Sequence, residues 1–263
     1  MERTILIASI LTSSLIWAWV AIRIMRSGSA APTAGVVETV PHHVALLGFA
    51  WIVISMVGAA SVLLGLSEPT GVTLETVKST VAISGGVAFV LAFMYAIAND
   101  TKQENQLSAS RAVGVGLLGW IASLMPVLMI QFGIKQLQPS DGPSHELLRF
   151  LRENKSPTEV MWVAAAAVVT APLLEELVYR VILQGSLRAK VSRNLAIIIS
   201  AVIFAAAHGW PNMLGLLPLA LILGYLYDRT NNYLTVVTTH AAFNMSMLLM
   251  STLPTATWFA IIM

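Results

Sequence analysis

The 263-residue sequence contains no cysteine, which excludes disulfides, iron–sulfur clusters and thiolate metal sites and leaves the redox compartment undecided. Charge is almost as scarce. Only 11% of the residues are charged, against about 25% in an ordinary soluble domain. Thirteen acids and fifteen bases cannot cover the surface of a soluble globule of this length. The deficit excludes a cytosolic enzyme, a disordered chain and a secreted disulfide scaffold. A net charge of only +2 also leaves no basic surface for nucleic acid. What fills the sequence instead is hydrocarbon, at 57% hydrophobic residues and a mean hydropathy of +0.78. The chain reads as an integral membrane protein, with the lipid bilayer as its first partner.

Crossing a hydrocarbon core of about 30 Å takes roughly 20 mostly apolar residues. The sequence predicts an all-α, polytopic protein of about eight transmembrane helices: Thr4–Ile22, Val44–Leu66, Thr80–Ala98, Ala112–Ile134, Pro157–Leu183, Asn194–Gly209, Met213–Tyr227 and Tyr233–Leu253. The first exceeds the usual ~7–15-residue apolar region of a signal peptide, and Arg23 and Arg26 precede the small-residue run Ser29-Ala30-Ala31; it is read as a signal anchor. Ser156 is placed to cap the fifth helix, with Pro157 at its first position. Between the two halves, Pro139-Ser140-Asp141-Gly142-Pro143 is a turn, and Leu147, Leu148 and Leu151 share one face of a short interfacial helix. The expected organisation is therefore four N-terminal transmembrane helices over 1–135, a loop with that interfacial helix over 136–156, and a four-helix catalytic core over 157–263. Loop lysines and arginines, Arg188, Lys190 and Arg193 among them, favour the side that puts both termini outside a cell membrane.

Ionisable residues inside apolar spans are costly and mark function. The first four spans are nearly free of them; the last four carry three clusters. In Glu175-Glu176-Leu177-Val178-Tyr179-Arg180, Glu176 and Arg180 lie one helical turn apart in the favourable acid-before-base order, whereas Glu175 has no local cation. Phe204 and His208 share a helical face across three alanines. His240 and Asn244 are likewise one turn apart and project into one space. Asp228 and Arg229 are expected to cap a helix at the interface. A carboxylate, two imidazoles and a carboxamide together can activate water and stabilise an oxyanion.

In these three motifs, Glu175-Glu176…Arg180, Phe204…His208 and His240…Asn244, the sequence resembles the CAAX protease and bacteriocin-processing family of intramembrane endopeptidases, over roughly Pro157 to Met250. Leu223-Gly224-Tyr225-Leu226-Tyr227 resembles the glycine-containing helix before that family's third motif. Val181 stands where family members usually have glycine. The resemblance implies an intramembrane active site in which Glu175 acts as general base on water and His208 orients or activates that water. His240 and Asn244 would donate to the oxyanion, with Glu176, Arg180 and Phe204 in support. The implied substrate is a peptide or lipidated protein at the membrane: a CAAX-type tail, a leader or a precursor.

Cofactor chemistry stays open at this point. No cofactor is favoured, since His-Glu-x-x-His is absent. Zinc held by Glu175, His208 and His240 is the rival. Two other functions compete: a catalytically silent relative that binds peptides or confers bacteriocin immunity, and a secondary transporter. The transporter predicts repeat symmetry between the halves, and the sequence shows none.

Overall fold

The computed structural model describes residues 40–64, 72–98, 107–137, 150, 156–209 and 212–252. The expected first helix and nearly all of the 136–156 loop lie outside the described residues. The elements described are helices: α1 (His42–Leu63), α2 (Leu74–Ala98), α3 (Ala109–Leu137), α4 (Pro157–Arg188), α5 (Arg193–Ala207), α6 (Asn212–Thr230) and α7 (Tyr233–Thr252). They stand where the sequence places the second to eighth helices. Four, α1 to α4, contain stretches long and apolar enough to cross a membrane; α5 is apolar but shorter. Large apolar side chains on α1 and α2, such as Leu46 and Phe89, point away from the protein and form a surface suited to lipid.

The start of α4 follows its sequence signature. Ser156 Oγ accepts from the Glu159 N–H, the Glu159 carboxylate accepts from the Ser156 N–H, and Pro157 opens the helix. Further along, the helix departs from α geometry twice, with π-helical turns over Ala165–Thr170 and Leu177–Gln184. Such turns are uncommon, and they cluster at functional sites. Pro172 sits between the two π stretches.

α4 is the central helix. Every residue from Leu177 to Gln184 is buried, packed with Val44 and Ile52 of α1, Leu91 of α2, Phe204 of α5 and Ala220 of α6. Val181, 4% exposed, lies in this core. Gly119 of α3 permits a second close contact: a Cβ there would overlap Leu226 Cδ1 and stand 2.9 Å from Thr239 Oγ1. α3 thus lies directly against α6 and α7, and Thr239 Oγ1 donates to the Gly116 carbonyl across that contact. Trp120 Nε1 donates to Ser246 Oγ further along it.

Asp228 is not the interfacial cap expected from its place at a helix end. Its side chain is fully buried and forms ion pairs with both Arg188 and Arg193, tying the ends of α4, α5 and α6 together. A carboxylate cannot remain buried in an apolar bundle without such partners. Arg229 lies over the Tyr225 ring.

Candidate active site

Glu176, Arg180 and Gln184 recur every fourth residue along α4, and each meets a different neighbouring helix. Glu176 Oε2 accepts from Arg180 Nε at 3.0 Å, with both side chains wholly buried. Arg180 Nη1 donates to Ser200 Oγ of α5, and Ser200 in turn donates to the Tyr179 carbonyl. Gln184 Nε2 donates to the Gly224 carbonyl of α6 at 2.9 Å. The other face of the guanidinium lies 4.9 Å from the centre of the Phe204 ring. A buried charge is tolerated when its hydrogen bonds and its partner are supplied together.

Glu176 Oε1 takes the third contact, His240 Nδ1 of α7 at 2.8 Å. In a carboxylate paired with the Arg180 guanidinium the oxygen accepts, so His240 Nδ1 carries the proton. The Nε2 of His240 then faces Glu175 Oε2 at 3.7 Å. It presents a lone pair when the ring is neutral and an N–H when the ring is protonated.

His208 is fixed by the end of its helix. It caps α5 at φ −87°, ψ 0°, and Gly209 follows at φ +70°, a left-handed conformation that glycine adopts without a Cβ clash. His208 Nδ1 lies 2.8 Å from the Phe204 carbonyl, which can only accept, so this nitrogen also carries the proton. Its Nε2 faces Glu175 Oε2 at 3.8 Å. Phe204 is fully buried and holds both rings, tilted against His208 at 4.7 Å and edge-on to His240 at 5.7 Å.

Glu175 therefore stands alone between two imidazole Nε2 atoms, with 23% of its side chain exposed. The gaps of 3.7 and 3.8 Å exceed direct hydrogen-bond length, so neither imidazole is hydrogen-bonded to Glu175. The donor types would suit zinc. Glu175, His208 and His240 are the residues that would hold it.

Asn244 lies one turn beyond His240 on α7, but its Nδ2 donates to the Ala167 carbonyl of α4 at 2.7 Å. Of the residues expected from the sequence, Glu175, Glu176, Arg180, Phe204, His208 and His240 are joined by these contacts, whereas Asn244 bonds to the Ala167 carbonyl and to none of the six. Four supporting groups escaped that reading: Ser200, Gln184, Tyr233, whose hydroxyl donates to the Leu173 carbonyl at 2.5 Å, and Asn212, whose amide reaches the His208 carbonyl at 3.5 Å. Helical spacing carried a signal for three of them, and Asn212, which opens the next helix, carried none. Ser200 precedes Phe204 by one turn, Gln184 follows Arg180 by one, and Tyr233 precedes His240 by two turns.

A family model described as type II CAAX prenyl endopeptidase Rce1-like matches residues 157–246, from the first residue of α4 into the last third of α7. Neither a curated protein nor a solved structure matches the chain.

Proposed function

We propose that this membrane protein is an intramembrane endopeptidase of the CAAX protease family, which hydrolyses a peptide bond in a membrane-associated substrate; the match of residues 157–246 to the type II CAAX prenyl endopeptidase Rce1-like model supports the reading. The substrate is a CAAX-type C-terminal tail or a leader or precursor peptide. The observation that carries the reading is the convergence of His208 Nε2 and His240 Nε2 on the partly exposed Glu175 Oε2. Glu175 is the one carboxylate of the group that is partly exposed, and it has no hydrogen bond to either imidazole, which leaves it available to a water.

In this mechanism a water lies against Glu175 Oε2 and is held by the His208 Nε2 lone pair. Glu175 takes its proton as the oxygen attacks the carbonyl carbon of the scissile bond. The oxyanion that forms accepts from protonated His240 Nε2 and from the second amide hydrogen of Asn244. Collapse of the intermediate breaks the C–N bond, and the proton held by Glu175 passes to the leaving amine. Glu176 fixes the His240 ring from its far side, Arg180 pairs with Glu176, and Phe204 sets both imidazoles. If zinc were bound, Glu175, His208 and His240 would hold it, and it would supply a water of lowered pKa. The catalytic unit is residues 157–263, set in the plasma membrane with the Arg188–Arg193 turn on the cytoplasmic side.

The test is cleavage of lipidated and leader-type quenched-fluorescence peptides by purified protein, Glu175→Ala and His208→Ala, each with and without a zinc chelator. Cleavage by wild type that survives chelation and disappears in both variants is expected. Loss on chelation, restored by zinc, would replace the base with a metal. Cleavage undiminished in the variants would overturn the site, and failure to cleave any peptide would favour a silent peptide-binding relative.

A further inference from the structure

We propose that Asn244 is a positioning residue, a role that rests on the protease reading: it replaces the backbone hydrogen bond that Pro172 cannot make, and so holds the π-helical turn that presents Glu175. The register of that turn is set by the Ala171 N–H, which donates to the Ala166 carbonyl five residues back. Continued by one residue, the same register would aim the N–H of residue 172 at the Ala167 carbonyl. Residue 172 is proline and has no N–H. The donor that does reach Ala167 O is Asn244 Nδ2, from another helix, at 2.7 Å.

An orphaned carbonyl inside a membrane bundle is costly, and neighbouring helices are the usual source of its replacement donor. Two further contacts brace the same stretch. Thr170 Oγ1 donates to the Ala166 carbonyl at 3.2 Å, and Tyr233 Oη of α7 donates to the Leu173 carbonyl. Pro172 lies three residues before Glu175, so the register fixed here sets the direction in which Glu175 leaves the helix. Asn244 and His240 also share α7. One helix therefore locks the backbone below the carboxylate and faces the carboxylate itself.

Proline supplies its own control, because Pro172→Ala restores the missing N–H. Wild type, Asn244→Ala, Pro172→Ala and the double variant are compared in detergent by thermal unfolding and by kcat and KM on a peptide the wild type cleaves. Asn244→Ala is expected to lower Tm by roughly 2–4 °C for each kcal/mol lost and to lower kcat with little change in KM. In the double variant the restored N–H of residue 172 donates to Ala167 O, so Tm returns to the Pro172→Ala value and kcat rises above that of Asn244→Ala, while staying below wild type by the oxyanion donor lost with the amide. A Tm loss that Pro172→Ala does not relieve would overturn the proposal. Recovery of Tm without kcat would overturn the positioning role as well, leaving Asn244 to act on substrate alone. The Tm cycle reads the Ala167 bond without any cleavage, whereas a wild type inactive on every peptide would count against the protease reading and with it the role assigned here.

Discussion

His240 Nδ1 donates to Glu176 Oε1 at 2.8 Å, so an anion buried for its pairing with Arg180 also decides which nitrogen of the imidazole faces the reaction. The adjacent glutamates thereby divide the work. Glu176 is wholly buried and orients His240; Glu175 is partly exposed and lies between the two imidazoles.

Glu175→Gln should separate catalysis from folding. The amide keeps the shape but cannot take a proton from water, so kcat should fall by roughly 10²–10⁴-fold. Thermal unfolding should be nearly unchanged, since Glu175 Oε2 makes neither of its two imidazole contacts at hydrogen-bond length. A large drop in Tm would mean that Glu175 is a structural anion.

Arg180→Met should do the reverse. It leaves Glu176 buried without its cation, a loss of about 3–5 kcal/mol, readable as a fall in Tm of the purified protein. Combining it with Glu176→Gln removes both charges, and the double variant should be more stable than the sum of the two single losses. Additive losses would show that the pair is not coupled.

Gly119→Leu should force α3 away from α6 and α7. Even the first added carbon would overlap Leu226 Cδ1 and stand 2.9 Å from Thr239 Oγ1. Overpacking of this kind typically costs about 1–3 kcal/mol. Thr239 precedes His240, so cleavage should decline together with Tm. Unchanged stability and activity would show that the contact between these helices yields freely.

Asp228→Asn removes the anion that joins Arg188 and Arg193. Stability should fall while kcat of the surviving folded protein stays near wild type, because the clamp closes the helix ends and touches none of the groups around Glu175. A selective loss of kcat would make Asp228 part of the site.

The sequence by itself determined the helices and the chemical groups of the site. Apolar length and turn residues located α1 to α7 to within a few residues, and Ser156-Pro157 marked the start of α4. Fourfold spacing paired Glu176 with Arg180 and placed His240 beside Asn244 on one face. Those are local relations, governed by the repeat of a single helix, and they can be read along the chain. The tertiary structure decided what each group faces. His240 is 64 residues from Glu176, and Asn244 is 77 from Ala167. No periodicity relates such positions, so the ring nitrogen turned to Glu175 and the carbonyl given to Asn244 follow only from how α7 packs on α4. The π turns belong to the same class. Their register answers to Pro172 below and to donors arriving from α7, and a helical pattern read along one segment carries no record of either. Asp228 shows the same limit from the other side. Its position at a helix end resembled an exposed cap, and only the approach of α4 and α5 buried it between two arginines.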